Sequence, residues 1–406
     1  MEKASDTLVP GPSPRQPDSG LHVIFANYFY EPHLKTPDDL LERYSTIRPI
    51  ALALRDEGAE VTVLQRFHRN ASVDEDSVHF NFRVDDCDPN LRKWQIPRSF
   101  HNAVRDACAT SRPKRVALHI NGLSYPLQAR ALRSKIPAHC AIVAQHHAER
   151  PGTGLRRTLQ KWGLRSLDGF FFAARKLADS WIERGLISKK QQVYQVMEGS
   201  NCFRRKNRAM ARARTGLKGN PTVLWVGNLT ANKDPLTVLA GFEEILLQLP
   251  GARLYMAYRE THLLPAVCDR IASSASLRKV VTLLGHVAHP ELEDTYNSAD
   301  YFVLGSHYEG SGFALAEAMA CGVVPIVTAI PSFLAMTDDG SVGACWKVDD
   351  SHSFASNFIR VFSRDVEDIS KQVSNFFDGR LSYRAIARTS VQAYEELTSR
   401  RTQATR

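Results

Sequence analysis

The chain of 406 residues is notable first for what it does not contain. Its seven cysteines, at 87, 108, 140, 202, 268, 321 and 345, form no Cys-x-x-Cys pair. This excludes the usual zinc framework and dithiol redox motif, and scattered cysteines are expected to be free thiols in a reducing compartment. No apolar run reaches the ~18 residues that suggest a membrane-spanning helix; the nearest, 319–330, is too short. The polar, Pro-, Ser- and Gly-rich residues 1–20 lack the apolar stretch of a signal peptide and are expected to be a disordered tail. No Asp-x-Asp pair stands in a suitable place to hold a metal. The expectation is a cytoplasmic globular protein with no metal and no cofactor.

A content of 43% hydrophobic and 23% charged residues is ordinary for a globular protein, and the length allows two domains. The net charge of +9 favours anionic partners: nucleotides, acidic lipids or nucleic acid. Residues 203–218 carry seven basic side chains and no acid. They have no aromatic after Phe203 on which bases could stack, so no nucleic acid is expected. On a helical wheel of 155–167, Leu155, Leu159 and Trp162 share one face and Arg157, Lys161 and Arg165 another. Such a helix can rest on an acidic membrane surface, as a peripheral contact on the inner face. The plainer reading, an ordinary domain helix with a solvated face, is preferred.

From residue 21 onward short apolar strands alternate with helices. Strands are predicted at 21–26, 60–64, 115–120, 140–144, 169–172 and 192–196, with a helix at 44–57 and no assignment for 68–98. A second series has strands at 222–226, 253–258, 280–284, 301–304 and 323–327. Its helices are at 235–247, 263–272, 290–298 and 313–320. This alternation predicts an α/β fold of two Rossmann-like, doubly wound domains facing across a cleft. The first is placed at 21–205 and the second at 206–375, with a linker near 202–218. A C-terminal helix within 376–406, at 383–399, can return to the first domain. Ligands in such folds bind at the carboxyl ends of the strands.

One run at such an end carries the most chemistry: residues 305–328, GSHYEGSGFALAEAMACGVVPIVT. Glu309 and Glu317 bracket a Gly310-Ser311-Gly312 loop and the start of a helix. The first amides of a helix lack intrahelical partners, so those of Phe313, Ala314 and Leu315 suit phosphate oxygens. Glycines such as Gly312 let the backbone come close, and a carboxylate can accept both protons of a vicinal diol. The pattern asks for a ligand that is both phosphorylated and rich in hydroxyls. The segment VGNLTANKDP (226–235) leaves another strand end, with Lys233 before the Asp234 cap and Pro235.

Three motifs run in order: V-G-x-L-x-x-x-K-D-P, then G-x-V-x-x-x-E-L-x-x-x-Y-x-x-A-D at 285–300, then E-G-x-G-x-x-x-x-E-A-x-A-C-G-V-x-P at 309–325. Together they resemble the retaining GT-B glycosyltransferases of the glycogen-synthase-like, group 1 kind (family four). The likeness is strong over 220–330 and weaker over 20–200. It implies a nucleotide-sugar donor, with Glu309 on the sugar hydroxyls, Glu317 on the ribose, and the amides of 313–315 on sugar and phosphates. It also implies Lys233 on the departing diphosphate, and Gly285, His286 and Val287 near the nucleobase. The resemblance further implies a histidine at the end of strand 140–144; His147 is the better match and His146 the second. A neutral imidazole there would accept a hydrogen bond. No third ligand accompanies the pair at a metal-binding spacing.

Two departures stand out. Asn228 occupies the place of an arginine, removing a bidentate phosphate clamp from the donor site. Residues 27–46 contain no glycine where many members have a Gly-rich loop. The expected function is transfer of a sugar, with retention and without a metal, to an acceptor that is a glycan, a lipid-linked sugar or a small molecule. The alternative, motivated by Asn228, is a non-catalytic nucleotide-sugar-binding protein of a polysaccharide or cell-envelope pathway.

Overall fold

A computed structural model describes residues 20–85, 87, 92, 94–110 and 115–405. The expected tail lies, apart from Gly20, outside the described residues. The first sheet has eight strands in the order β3-β4-β2-β1-β5-β6-β7-β8. They are β1 (Leu21–Asn27), β2 (Glu60–Arg66), β3 (Ala71–Glu75), β4 (Val78–Arg83), β5 (Arg115–Asn121), β6 (Ala141–Gln145), β7 (Gly169–Phe172) and β8 (Gln192–Gln195). The second sheet has the order β11-β10-β9-β12-β13-β14. Its strands are β9 (Thr222–Val226), β10 (Arg253–Ala257), β11 (Val281–Gly285), β12 (Tyr301–Leu304), β13 (Val324–Thr328) and β14 (Ala344–Trp346). Every pairing is parallel except β3 with β4. Central strands such as Leu21–Asn27 and Val324–Thr328 are buried along their whole length, as helices on both faces require. This is the two-sheet, doubly wound architecture that the alternation predicts.

The differences have local causes. The helix expected at 44–57 spans Ile47–Asp56, and a further helix, Pro37–Arg43, precedes it. Thr36 caps the preceding helix through a capping box with Asp39. Pro49 can sit only in a first turn, which starts the later helix at Ile47. The unassigned stretch 68–98 holds the β3–β4 hairpin. Asp76 and Ser77 both have positive φ in its turn, the geometry that matches strand twist, though Asp-Ser is a weak signal for it.

The linker expected at 202–218 is corrected. The crossing ends by Arg204, whose N–H donates to Glu293 Oε1 at 2.8 Å, and 208–215 is a helix, Arg208–Thr215. Asn207 caps it and Gly216 closes it in the left-handed region. Its basic side chains face acids of the second domain: Arg212 bonds Asp300 at 2.7 Å, Arg214 bonds Asp294 at 2.6 Å, and Lys206 pairs with Glu293. The positive run is thus largely neutralised within the fold.

The chain returns to the first domain after the Val366–Phe376 helix. The last helix, Tyr383–Thr405, packs on Ile47–Asp56 and on β5 and β6. Tyr394 of this helix donates to or accepts from His119 Nδ1 at 2.7 Å, and Tyr383 donates to the carbonyl of Ser200 at 2.7 Å. No described helix is long and apolar enough to cross a membrane.

Asp300 accepts from Arg212 and from the amide of Thr222, both at 2.7 Å, tying the Arg208–Thr215 helix to the sheet. Asp300→Ala leaves both donors without their acceptor, and is expected to cost on the order of 2 kcal/mol in urea denaturation.

Candidate functional site

The two sheets point their carboxyl ends at one another. In the second domain β9 pairs directly with β12, so the loops leaving them are neighbours. The peptide of His307 donates to the Asn232 carbonyl at 2.8 Å, and the Asn232 amide donates to the Tyr308 carbonyl at 3.0 Å. Asp234 adopts a left-handed conformation (φ 40°, ψ 62°) and caps the Pro235–Ile245 helix through Thr237 N–H. This sharp turn delivers Lys233 to Glu309, and the ammonium bonds the carboxylate directly. Both groups are mostly buried. The expected diphosphate cation and the expected sugar-binding carboxylate are each other's partner here.

Asp234, His307 and Asp349 bring one ligand atom each to within 4.8 Å of one another, the grouping of metal-ligand type among the described residues. His307 is already paired with both carboxylates, at 3.4 and 3.2 Å.

The helix Phe313–Ala320 begins at Gly312, which takes φ 67°, ψ 60° and has no side chain with which to cap it. The amides of Leu315 and Ala316 donate back to the Gly312 carbonyl at 3.0 and 3.1 Å. Among the described residues those of Phe313 and Ala314 have no protein acceptor, so the expected set of three open amides becomes two. One turn on, Glu317 accepts from Tyr296 Oη at 2.9 Å and lies 3.4 Å from His289 Nε2. A hydrogen bond to Glu317 raises the pKa of the exposed His289, whose ring lies 4.9 Å from Phe203.

The first domain faces this loop with the end of β6. His146 is buried against Phe172, centroids 4.6 Å apart, and bonds the Glu149 carbonyl at 2.9 Å. Burial keeps it neutral, and its contacts are structural. His147 instead opens to the cleft. Its Nδ1 meets Glu198 Oε2 at 2.5 Å, and its Nε2 lies 3.4 Å from Asn121 Oδ1. Burial pulls the His147 pKa down, but the hydrogen bond and charge of Glu198, with Glu149, outweigh it and leave it raised. The Glu198 carboxylate is the hydrogen-bond partner of this imidazole at Nδ1. Glu198 is held below its ordinary value by His147 and by the Ser311 hydroxyl against the opposing effect of burial.

Glu149 clamps this loop, accepting from the amides of Leu123 and His147 at 2.6 Å each. Across the gap, a Cβ on Gly310 would lie 3.0 Å from both Cβ and N of Ala148. Tyr308 Oη reaches the Glu149 carbonyl at 3.5 Å, and the Arg150 guanidinium lies 4.8 Å from the Tyr308 ring centroid.

A cavity of about 890 Å³ opens between the domains. His147, Phe313 and Glu317 line it, with Phe29, Tyr44 and Tyr125 on the first-domain wall. Lys233, Glu309, Asn228, Gly312, Ala314 and Leu315 are outside its lining, since the Gly310–Ala148 contact and the Lys233–Glu309 pair close that end. His286 and Val287 are also outside it, whereas His289 and Phe203 line it. Arg259 lines the cavity as well. The Asn228 side chain accepts from the Glu260 N–H, the residue after Arg259, at 3.3 Å.

Glu198, Glu149 and Arg259 were not singled out from sequence. For Glu198 a signal existed: Glu198-Gly199-Ser200 follows β8 as Glu309-Gly310-Ser311 follows β12. For Arg259 the signal was the departure at Asn228.

Residues 207–375 match the family described as glycosyl transferases group 1. This segment belongs to that family. The chain is 38% identical over 128 residues, 30% of its length, to mannosylfructose-phosphate synthase of Agrobacterium fabrum. It is 28% identical over 173 residues, 43% of its length, to GDP-mannose:cellobiosyl-diphosphopolyprenol alpha-mannosyltransferase of Xanthomonas oryzae pv. oryzae. These matches span 28% and 42% of the two relatives, less than half of either. In structure the chain is similar to sucrose-phosphate synthase from Thermosynechococcus elongatus. The TM-score is 0.64 at 18% identity, covering 95% of this chain and 100% of that one. The glycosyl transferases group 1 segment therefore sits within a GT-B fold, with the site at the meeting of its two sheets.

The His147–Glu198 pair has a pH signature. A raised histidine contributes stability that is full below its ordinary 6.5 and is lost as pH rises through the raised value. A lowered carboxylate contributes stability present above its ordinary 4.5 and lost as pH falls through the lowered value. The stability difference between wild type and Glu198→Gln is expected to be largest between pH 4.5 and 6.5 and to shrink on either side, by thermal denaturation across pH.

Proposed function

We propose that the protein is a retaining glycosyltransferase that moves a sugar from a nucleotide-sugar donor to a hydroxyl-bearing acceptor. The observation that carries this reading is the convergence of Lys233, Glu309 and the Phe313–Ala320 helix N-terminus, across the cleft from His147. The Xanthomonas relative is named for a GDP-mannose donor, which supports a nucleotide-sugar here. The donor ribose binds Glu317, with its base toward Phe203 and His289. The diphosphate takes Lys233 from Glu309 and meets the Phe313 and Ala314 amides. Glu309, once released, is free to accept from the sugar hydroxyls.

Cleavage of the anomeric bond separates charge into an oxocarbenium-like sugar and a departing diphosphate. Lys233, the helix amides and Arg259 stabilise the latter electrostatically, the work for which no metal is needed in this proposal. The acceptor enters from the Tyr44 and Tyr125 wall and attacks the face that the diphosphate leaves, which retains configuration. His147, oriented by Glu198, donates to a sugar or acceptor oxygen and positions it.

The second reading, a nucleotide-sugar-binding protein without turnover, rests on Asn228. A thermal-shift panel beginning with GDP-mannose and including UDP- and ADP-sugars selects the donor, and product analysis tests transfer. Stabilisation with no sugar release would favour the second reading. Glu309→Ala and Lys233→Ala are each expected to lower transfer by roughly 100-fold or more. A Glu309→Ala protein that transfers at the wild-type rate would remove this assignment of the site. Arg259→Ala is expected to weaken nucleotide binding by roughly 10-fold, measured by calorimetry. Chelation with EDTA is expected to leave the transfer rate unchanged.

A further inference from the structure

The helix Gly154–Leu164 is seated with its apolar face outward. Leu155, Leu159 and Trp162 are 76%, 42% and 51% exposed, although they lie on one side at helical spacing. An ordinary domain helix would bury that side. Here the buried residues are Gln160, Gly163 and Leu164, which lie against the helix Pro126–Arg133. A Cβ on Gly163 would come within 2.3 Å of the Pro126 carbonyl oxygen. The two backbones are therefore in close contact, and the helix cannot roll to bring its apolar face inward. The segment is a helix packed on its domain, but the face it leaves to solvent is the apolar one.

We propose that this helix docks the protein on an anionic lipid bilayer. The charge around the apolar face selects that occupant over a neutral surface. Arg156 and Arg165 are exposed on the flanks of that face, and the Arg130 guanidinium lies 4.1 Å from the Trp162 ring centroid; Arg157, on the opposite side, donates to the Arg184 carbonyl at 2.7 Å. No Asp or Glu occurs between Arg150 and Leu167. Leucines and a tryptophan that enter the headgroup boundary, flanked by cations that pair with lipid phosphates, are the elements of an interfacial helix. The helix begins only seven residues beyond His147, with the six residues 148–153 between them. Docking there holds the mouth of the cleft beside the membrane, where an acceptor carried by a lipid would be found. The docking itself does not depend on the proposed transfer.

The test is flotation of the full chain with vesicles of phosphatidylcholine alone or with about 30% phosphatidylglycerol, at about 0.15 M and about 1 M salt. Binding at least tenfold stronger to the anionic vesicles, and weakened by salt, is expected. A Leu155→Ser/Leu159→Ser/Trp162→Ser variant is expected to lose that binding at least tenfold while its melting temperature and its nucleotide thermal shift are unchanged. Arg156→Glu/Arg165→Glu supplies a second variant that keeps the apolar face and is also expected to bind at least tenfold more weakly. Equal binding to neutral vesicles, undiminished binding by the triple variant, or a wild-type dimer that the triple variant dissociates would each overturn the proposal. A protein that transfers no sugar but still floats leaves it standing.

Discussion

The close approach of Gly310 to Ala148 is the contact on which the site depends. Two sheets from separate domains present their strand ends to each other, and a side chain at Gly310 would crowd Ala148, with a Cβ 3.0 Å from its N and Cβ. The neighbouring residues inherit their positions from it. Ser311 lies beside Glu198, Glu198 holds His147, and Tyr308 reaches the Glu149 carbonyl. Ala148 itself has φ 62°, an unusual backbone for a residue with a Cβ, so both sides of the contact are shaped for it.

Lys233, Glu309 and Glu317, the charged groups that the sequence assigns to the donor, each already have a protein partner of opposite sign. Lys233 is paired with Glu309, and His289 with Glu317; His147 and Glu198 repeat the pattern on the facing wall. Such pairing lowers the desolvation cost of keeping charge in a cleft. It also sets a condition on any ligand. An anion that is to occupy the Lys233 subsite must outcompete a carboxylate, and a doubly charged diphosphate does this where a neutral sugar alone does not.

Much of this was legible in the residues. Strands buried on both faces are continuous apolar runs, so β1, β7, β9 and β12 stood out, and the helix at Phe313–Ala320 was bounded by its own glycine. What the sequence concealed was pairing at a distance. Nothing local shows that the arginines of 204–214 face Asp294 and Asp300, eighty or more residues away, or that Glu198 meets His147 across the first sheet. The direction of the histidine's pKa depends on that partner. The hairpin at Asp76-Ser77 escaped because its turn uses neither asparagine nor glycine at its centre. The Gly154–Leu164 helix escaped for a different reason: amphipathicity shows which residues share a face, but only packing shows which face is covered.

The chain passes between the domains twice, once after β8 and once before the last helix, and Tyr383 bonds the Ser200 carbonyl where the two passages meet. Two bodies joined by adjacent strands share a common pivot. Rotation about it moves nearby atoms little and distant atoms far, so a swing that barely disturbs Tyr383 would separate loops on the other side of the cleft.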